Sequence, residues 1–182
     1  MRVIAGTYRS RTLEAPAGLA TRPTSDRLRE TLFNVLAPRI EGARFLDLYA
    51  GSGGVGIEAL SRGAARVDFV ERAQPALKAL SGNLARLGIR SGFEIHARSV
   101  AAYLGRAAAA RFDLVFLDPP YDAAEEYDAT LRRIAALLAE GALVVAEHRR
   151  KDKLAVVCGK LSRTRLLEQG DAALSFYAVA LE

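Results

Sequence analysis

The sequence has few of the side chains that build disulfides and metal centres. Cys158 is the only cysteine, which excludes an internal disulfide and a cysteine-based zinc cluster. The two histidines, His96 and His148, argue against a metal catalytic centre, and we expect His148 at the surface and Cys158 in the core. Long apolar runs are missing too, since none approaches the roughly eighteen residues that a membrane-spanning helix needs.

The composition that is present is typical of a globular protein. The chain has 182 residues, of which 51% are hydrophobic and 26% charged, enough to bury the core of one domain. Lysine and arginine outnumber aspartate and glutamate by 26 to 21, which gives a formal net charge of +5. A basic excess of this size permits nucleic-acid binding but does not establish it.

The first 22 residues are rich in arginine and contain a single acid, a composition that resembles a transit peptide. They lack the apolar segment of a secretion signal. Residues 2–5 and 11–14 instead alternate in the manner of a short β-hairpin, with Gly6 between them. We therefore predict a hairpin extension over residues 1–23, a main domain over residues 24–182, and a cytoplasmic protein.

A helix should open the main domain. Thr24, Ser25 and Asp26 offer side chains that cap a helix N-terminus, and apolar residues recur at helical spacing as far as Leu36. We expect this helix to end near Pro38.

Beyond residue 44 the pattern alternates between strand and helix. Apolar strands are predicted at Phe45–Tyr49, Val67–Val70, Phe93–His96, Phe112–Leu117 and Ala142–Ala146. Helices are predicted around Ile57–Leu60, Gln74–Leu87, Val100–Leu104 and Tyr127–Leu138. This alternation indicates an α/β fold with a doubly wound, mostly parallel sheet. Strand-like stretches at 154–157, 162–168 and 174–181 have no helices between them, so we expect a terminal antiparallel hairpin.

A glycine turn joins the first strand to its helix. Residues 51–56 satisfy the G-x-G-x-x-G pattern, in which glycines allow a tight turn and the helix N-terminus offers free N–H groups. Alone the pattern is weak, because a dinucleotide, another nucleoside cofactor or a bare turn would satisfy it. Asp47 precedes the turn and Glu71 ends the next strand, where an acid meets ribose hydroxyls. An acid at Asp47 suits a cofactor with an ammonium and a sulfonium group. The alternative is that Asp47 only caps the turn and Glu71 is only solvated.

A second motif, Asp118-Pro119-Pro120-Tyr121, directly follows the fourth strand. The carboxyl edge of a parallel sheet is where ligands bind. The two prolines stiffen the backbone and remove two donors, which leaves the Asp118 carboxylate and the Pro119 carbonyl as acceptors beside an aromatic ring. This arrangement favours gripping the exocyclic amino group of a base, with Tyr121 stacked on the base. The alternative is a plain loop with a buried tyrosine.

Four segments together resemble the class I S-adenosylmethionine-dependent methyltransferases with an (Asp/Asn)-Pro-Pro-(Tyr/Phe) motif, and among these the RsmD family. The segments are residues 2–6, 22–34, 46–64 and 118–121. They run through the whole chain in the family's order. The resemblance implies a seven-stranded Rossmann-like sheet, S-adenosylmethionine as cofactor, and methylation of the N2 atom of a guanine in 16S rRNA.

The resemblance also implies roles for individual residues. Cofactor-binding positions would be Thr24, Asp47, Tyr49, Gly51, Gly53, Glu71, Ser99 and Asp118. Catalytic positions would be Asp118, Pro119, Pro120 and Tyr121, which would bind and orient the guanine. The segment 22–33 would close over the methionine part of the cofactor. One position departs from the pattern, because Ser99 stands where many related enzymes have an acid at the adenine amino group.

Charge is unevenly distributed along the chain. Residues 1–30 carry a net +3, residues 149–165 carry +6, and residues 118–128 carry −5. We predict that Arg2, Arg9 and Arg11 of the hairpin contact RNA, within a small ribosomal subunit or an assembly intermediate. The stretch 149–165 could equally be a solvated surface. A monomer is the default expectation, with no metal ion and no membrane partner.

Three other functions compete with this one. A DNA amino-methyltransferase would use the same chemistry, but 182 residues leave little room for a target-recognition region. An NAD-dependent oxidoreductase would explain the glycines and Glu71 but neither Asp47 nor the Asp-Pro-Pro-Tyr motif. A non-catalytic RNA-binding assembly factor would keep only a vestigial cofactor pocket.

Overall fold

The computed structural model describes residues 1–16, 25–106, 111–120 and 124–180. Its helices are α1 Asp26–Ile40, α2 Gly54–Ser61, α3 Gln74–Arg86, α4 Val100–Leu104 and α5 Ala124–Ile134, the last followed by a 3₁₀ turn at Ala135–Leu137. Its strands are β1 Arg44–Leu48, β2 Arg66–Glu71, β3 Phe93–Ala97, β4 Phe112–Leu117, β5 Leu138–Arg149, β6 Val157–Cys158, β7 Leu161–Gln169 and β8 Ala172–Val179.

These strands form one sheet in the order β3-β2-β1-β4-β5-β8-β7-β6. Strands β1 to β5 are parallel, which confirms the doubly wound α/β prediction. The order reverses between β1 and β4, so the carboxyl ends of these two strands flank the crevice where such sheets bind ligands.

Helices cover both faces of the sheet, as the apolar runs of the central strands require. On one face, Leu32 and Phe33 of α1 and Ile57 of α2 pack over Phe45 and Phe116. On the other, apolar side chains of α4 and α5 pack over Leu46, Val115 and Val144. Alternate residues of one strand therefore face different helices, which decides the side on which each functional carboxylate emerges.

The terminal strands form an antiparallel ladder, β5-β8-β7-β6, as predicted. The described sheet has eight strands, whereas the resemblance implies seven. The strand predicted at 154–157 lies instead at β6, where only Val157 and Cys158 pair with β7. Cys158 is buried, as expected.

The N-terminal hairpin is present in a reduced form. Its arms form a single antiparallel bridge between Arg2 and Thr12. Most of its anchoring comes from α2, where the buried Glu58 carboxylate accepts hydrogen bonds from the Ile4 and Ala5 backbone N–H groups at 2.8 and 3.0 Å. Val3 and Leu13 are buried in the main core. The division between residues 23 and 24 falls outside the described residues and stays a prediction.

Helix α1 ends at Ile40, two residues past Pro38, which agrees with the expected end near Pro38. One local expectation is wrong. His148 is not at the surface but is buried, because β5 extends to Arg149 and pairs there with β8. Its Nε2 lies 2.8 Å from Ser175 Oγ, and burial lowers the pKa of the imidazole. Among the described helices, none is long and apolar enough to cross a membrane.

Candidate active site

A cavity of about 790 Å³ opens at the carboxyl edge of the sheet. Its walls come from the ends of β1, β2 and β4, the first turn of α4, one face of α5 and the base of the N-terminal hairpin. A volume of this size suits a nucleoside-sized ligand. The cavity brings together residues from both motifs of the sequence.

The glycine turn forms one wall of this cavity. Gly51 has a φ of 57°, and a methyl group added at its Cα would meet no atom within 4 Å, so this glycine faces open space. Gly53 differs, because it lies outside the cavity lining and a Cβ there would stand 2.4 Å from Leu80 Cδ1. Gly51 therefore lets a ligand approach the backbone, whereas Gly53 lets α2 and α3 pack closely.

Asp47 lies on β1 beneath the turn and is 2% exposed. Its Oδ2 accepts a hydrogen bond from the Gly56 N–H at 2.9 Å, so the carboxylate orders the start of α2 as the capping alternative requires. Burial, with a further contribution from the Glu71 charge, raises the pKa of Asp47 to about 7. Because Asp47 also lines the cavity, a cationic ligand would offset that cost of ionisation.

Glu71 is fixed by backbone donors at the end of β2. Its Oε2 accepts a hydrogen bond from the Gly51 N–H at 2.9 Å, and its Oε1 accepts from the N–H groups of Arg72 and Ala73 at 2.8 Å each. The carboxylate therefore ties the glycine turn to the β2–α3 loop and has a set orientation at the cavity wall. It is not merely solvated.

Tyr49 connects the glycine turn to α5. Its φ of 61° is unusual for a residue with a side chain. Its hydroxyl donates to the Glu126 carboxylate and lies 3.2 Å from Thr130 Oγ1. Burial and the hydrogen bond to Glu126 raise the pKa of Tyr49. Ser99, across the cavity, caps α4 by accepting a hydrogen bond from the Ala102 N–H at 3.2 Å.

The most deeply buried cation of this region is Arg29, which sequence reasoning did not single out within the segment 22–33. Its guanidinium is fully buried and lines the cavity. One nitrogen, Nη2, donates to the Arg2 carbonyl and to Asp26 Oδ1, the latter at 3.0 Å. The Nε atom has no hydrogen-bond partner among the described residues, and burial lowers the pKa of this arginine. A buried donor of this kind points to a ligand with an acceptor.

Asp118 follows β4 and lines the same cavity as Asp47 and Glu71, together with Pro119 and Pro120. Tyr121 and Thr24, the other predicted contacts, lie outside the described residues. Burial raises the pKa of Asp118 well above its ordinary value, and the charges of Glu147 and Asp47 raise it further. A cation or a hydrogen-bond donor bound beside Asp118 would stabilise the ionised form that burial and the neighbouring carboxylates disfavour.

Glu147 is a second residue that sequence reasoning missed. Leu117 pairs with Ala146, so Asp118 and Glu147 are the next residues on adjacent parallel strands. Both continue the alternation of Phe116 and Val145, whose side chains face the α1 side of the sheet. The sequence alone could not predict that Glu147 lies next to Asp118, because the pairing of β4 with β5 sets their register.

The three arginines assigned to RNA lie on the N-terminal hairpin. Arg2 is 3.8 Å from Asp26. Arg11 donates from Nη2 to the Arg86 carbonyl at 3.1 Å. Arg9 is exposed. The structure does not place Arg9 or Arg11 at the cavity wall; Met1, Ala15 and Pro16 at the base of the hairpin form that wall instead.

One cluster outside the cavity has metal-ligand chemistry. Candidate ligand atoms of Asp68, Glu94 and His96 lie within 4.8 Å of one another. The Arg66 guanidinium already bonds to both carboxylates, from Nε to Asp68 at 2.7 Å and from Nη2 to Glu94. The cluster is therefore a complete ion-pair network in which arginine supplies the positive charge.

The chain is similar to a described protein family and to named relatives. A family model described as "Conserved hypothetical protein 95" matches residues 1–178. The Bacillus subtilis (strain 168) protein named "Putative rRNA methyltransferase YlbH" is 41% identical, with 97% of this chain and 98% of the relative covered. The Escherichia coli (strain K12) protein named "Ribosomal RNA small subunit methyltransferase D" is 35% identical, with coverage of 97% and 89%.

A solved structure supports the same likeness. The structure titled "Putative methyltransferase yhhF from Escherichia coli" superimposes with a TM-score of 0.87 and 32% identity, covering 100% of this chain and 99% of that chain. The likeness thus includes the N-terminal hairpin as well as the sheet.

Proposed function

Since the chain belongs to the RsmD family of rRNA methyltransferases, we propose that it transfers a methyl group from S-adenosylmethionine to the exocyclic N2 of a guanine in 16S rRNA. One observation carries the proposal: Asp118 and its two prolines open into the cavity that Asp47, Gly51 and Glu71 also line. Donor and acceptor sites therefore share one space at the switch point of the sheet.

The residues of the cavity fit the polar groups of S-adenosylmethionine. Asp47 offers a carboxylate to the ammonium group, and Glu71, held by three backbone donors, offers one to the ribose hydroxyls. The unpartnered Nε–H of Arg29 offers a donor to the amino-acid carboxylate. Gly51 leaves the space that a bulky ligand needs beside the turn. When bound, this cofactor supplies an electrophilic methyl group.

The remaining cofactor contacts are proposed with them. Tyr49 would shape the wall near the sulfonium, and Ser99 would lie near the adenine. The Ser99 oxygen already accepts a hydrogen bond from α4, which leaves its second lone pair and its hydroxyl hydrogen for the ligand. Thr24 remains a proposed contact on the methionine side.

The guanine assignment rests on three neighbouring acceptors, one from each of Asp118, Pro119 and Glu147. The edge of guanine carries donors at both N2 and N1, whereas adenine and cytosine have an acceptor at the ring nitrogen next to their amino group. The Asp118 carboxylate and the Pro119 carbonyl would accept the N2 hydrogens. Glu147, adjacent to Asp118 on the next strand, would accept the N1 hydrogen. Tyr121 would stack on the base.

Held in this way, the N2 lone pair is aimed at the methyl carbon. N2 would gain a bond to the methyl carbon as the bond from that carbon to sulfur breaks, with S-adenosylhomocysteine as the leaving group. N2 would also lose one proton, which Asp118 accepts or passes to water. The raised pKa of Asp118 suits a group that takes up a proton as the reaction proceeds. The contribution of the chain is mainly positioning and electrostatics.

The substrate is proposed to be a small ribosomal subunit or an assembly intermediate. The enzyme is also proposed to act in the cytoplasm and as a monomer. The target guanine must be unpaired or flipped out of its stack to reach the cavity. Arg2, Arg9 and Arg11 stay proposed RNA contacts on the hairpin.

Nucleoside mass spectrometry tests the proposal. Undermethylated small subunits are incubated with S-adenosylmethionine and the protein, and the 16S rRNA is digested and analysed. We expect new N2-methylguanosine with the wild type and none with Asp118→Ala. Asp113→Ala, at the opposite end of the same strand, serves as the matched control and should retain activity. Methylation of a different base would overturn the guanine assignment, and absence of both methylation and cofactor binding would favour an assembly factor.

A further inference from the structure

A second and larger cavity lies beside the active site, with a volume of about 1110 Å³. It is a groove between the first turn of α1 and the loops that join β5 to β6 and β7 to β8. Glu147 forms part of its lining, and Glu147 is the strand neighbour of Asp118. The groove therefore begins where the target base is proposed to sit.

The lining of this groove carries more basic than acidic side chains, since among the described residues its acids are only Glu147, Glu168 and Asp171. Five of its side chains are cationic, and two of these are paired: Arg149 with Asp152 at 2.8 Å and Arg150 with Glu168 at 3.2 Å. The other three are Arg27, Lys151 and Lys153, which are exposed. Within the described part of the chain, these three form no ion pair, so their charge is available to a ligand.

The three cations lie on opposite walls. Arg27 belongs to α1, whereas Lys151 and Lys153 belong to the loop after β5. A polyanionic strand lying in the groove would meet positive charge on both sides. Single-stranded nucleic acid is bound in this manner, by a charged groove that follows the backbone.

The walls are also held together before any ligand arrives. Thr31 Oγ1 of α1 donates to Gln169 Oε1 at the end of β7 at 2.8 Å. The Arg150 N–H donates to the Asp171 carbonyl at 2.8 Å, which joins the two loops. A preformed groove binds with a smaller ordering cost than a surface that must rearrange.

We propose that this groove binds the phosphates of the rRNA strand that carries the target guanine, with Arg27, Lys151 and Lys153 as the contacts. The inference rests on the proposed function and extends it from the base to the strand. RNA is favoured over an acidic protein segment because Glu147, in the groove lining, is the strand neighbour of Asp118, where the acceptors proposed for the base lie.

Charge reversal in two matched pairs tests the groove. Lys151→Glu with Lys153→Glu changes the groove, whereas Lys160→Glu with Arg165→Glu makes the same charge change in the same basic stretch outside it. The probe is a 16S rRNA transcript, bound by each protein over a series of KCl concentrations. Binding of S-adenosylhomocysteine and the melting temperature verify that each variant is folded.

We expect the groove variant to bind the transcript about 100-fold more weakly and to reduce the slope of log Kd against log salt by about two, one for each lost phosphate contact. The control pair should change the slope much less. Equal losses in both pairs, or an unchanged slope in the groove variant, would overturn the proposal. Tighter binding of polyglutamate than of the transcript to the wild type would assign the groove to an acidic protein instead.

The outcome is separable from that of the proposed function. A groove-dependent salt slope without methyl transfer would leave the groove standing and reject the reaction. Methyl transfer that is equally fast in the groove variant and the control pair would leave the reaction standing and reject the groove.

Discussion

The two sides of the cleft solve opposite electrostatic problems. On the proposed cofactor side, the carboxylates of Asp47 and Glu71 accept backbone hydrogen bonds, so their positions are set before a ligand binds. On the proposed target side, burial and the charges of two carboxylates, Glu147 and Asp47, disfavour ionisation of the Asp118 carboxyl. The first side holds its carboxylates in fixed positions. The second side would be stabilised by a hydrogen-bond donor or a positive charge next to Asp118.

This difference explains how binding on one side can prepare the other. A cationic cofactor beside Asp47 would lower the pKa of both Asp47 and Asp118, because it opposes the repulsion between them. Asp118 would then ionise and become a full acceptor for an amino group. The comparison thus predicts that cofactor-side substitutions change affinity, whereas target-side substitutions change rate.

The largest effect on affinity is expected from Arg29→Met. Removing the buried guanidinium removes the donor with no partner among the described residues, and we expect the Kd for S-adenosylhomocysteine to rise about 100-fold, as for a lost charge-assisted pair. Calorimetry measures this change. Asp26→Ala removes a partner of Arg29 but keeps the guanidinium, so it should weaken binding only a few-fold. An equal loss in both variants would show that Arg29 acts only by anchoring the hairpin.

Asp47→Asn should weaken cofactor binding less and in a pH-dependent manner. The amide can still accept the Gly56 N–H but carries no charge. Asp47 has a pKa of about 7, so in the wild type the ionised form grows as pH rises from 6 to 8 and affinity should rise with it. We expect the variant to bind about 30-fold more weakly at pH 8 and to lose this pH dependence. Affinity that is as steep in the variant as in the wild type would be evidence against the role of Asp47.

Glu147→Gln is expected to change rate rather than cofactor affinity. The Glu147 charge raises the pKa of Asp118, so its removal lowers that pKa and should move the rising limb of kcat against pH to lower pH. We expect kcat/KM at pH 8 to fall about tenfold, since one acceptor for the guanine edge is weakened. Steady-state kinetics over a pH series measures both effects. A tenfold loss without a shifted limb would indicate a role in packing alone.

The smallest effects are expected from two glycines of the same turn. Gly51→Ala places a methyl group in the open cavity and should raise the Kd for S-adenosylhomocysteine several-fold, with about 1 kcal/mol lost from the free energy of unfolding because of its positive φ. Gly53→Ala meets Leu80 instead and should lose more stability, about 2 kcal/mol. Thermal unfolding and calorimetry separate the two. If Gly53→Ala raises the Kd more than Gly51→Ala does, this distinction between the two glycines is wrong.

The features that could be predicted from the sequence are those with a local pattern. The strand–helix alternation predicted the parallel sheet because each element carries its own apolar pattern. Both motifs could be placed at the carboxyl edge because each directly follows a predicted strand of the parallel sheet. The N-terminal hairpin was predicted from alternation, but its attachment to Glu58 was not, because that contact joins residues far apart in the chain.

The parts that could not be predicted depend on register and burial. Nothing in the pattern around Glu147 marks it as the neighbour of Asp118, since one step in the β4–β5 register would turn it to the other face. His148 was expected at the surface because a long antiparallel continuation of β5 has no local signal. The sequence shows how many basic residues the stretch 149–165 contains but not which of them share a surface. Only the fold places Lys151 and Lys153 in the groove and Lys160 and Arg165 outside it.

The most direct test of the two-sided cleft is the single-turnover rate of methyl transfer to undermethylated small subunits at saturating S-adenosylmethionine, measured for Asp118→Asn beside Asp47→Asn. Both substitutions replace a carboxylate by an amide of the same shape. We expect a loss of about 1000-fold for Asp118→Asn and a rate within a few-fold of the wild type for Asp47→Asn once the cofactor is saturating. Equal losses in the two variants, or an Asp118→Asn protein that retains more than a tenth of the wild-type rate, would contradict this division of roles.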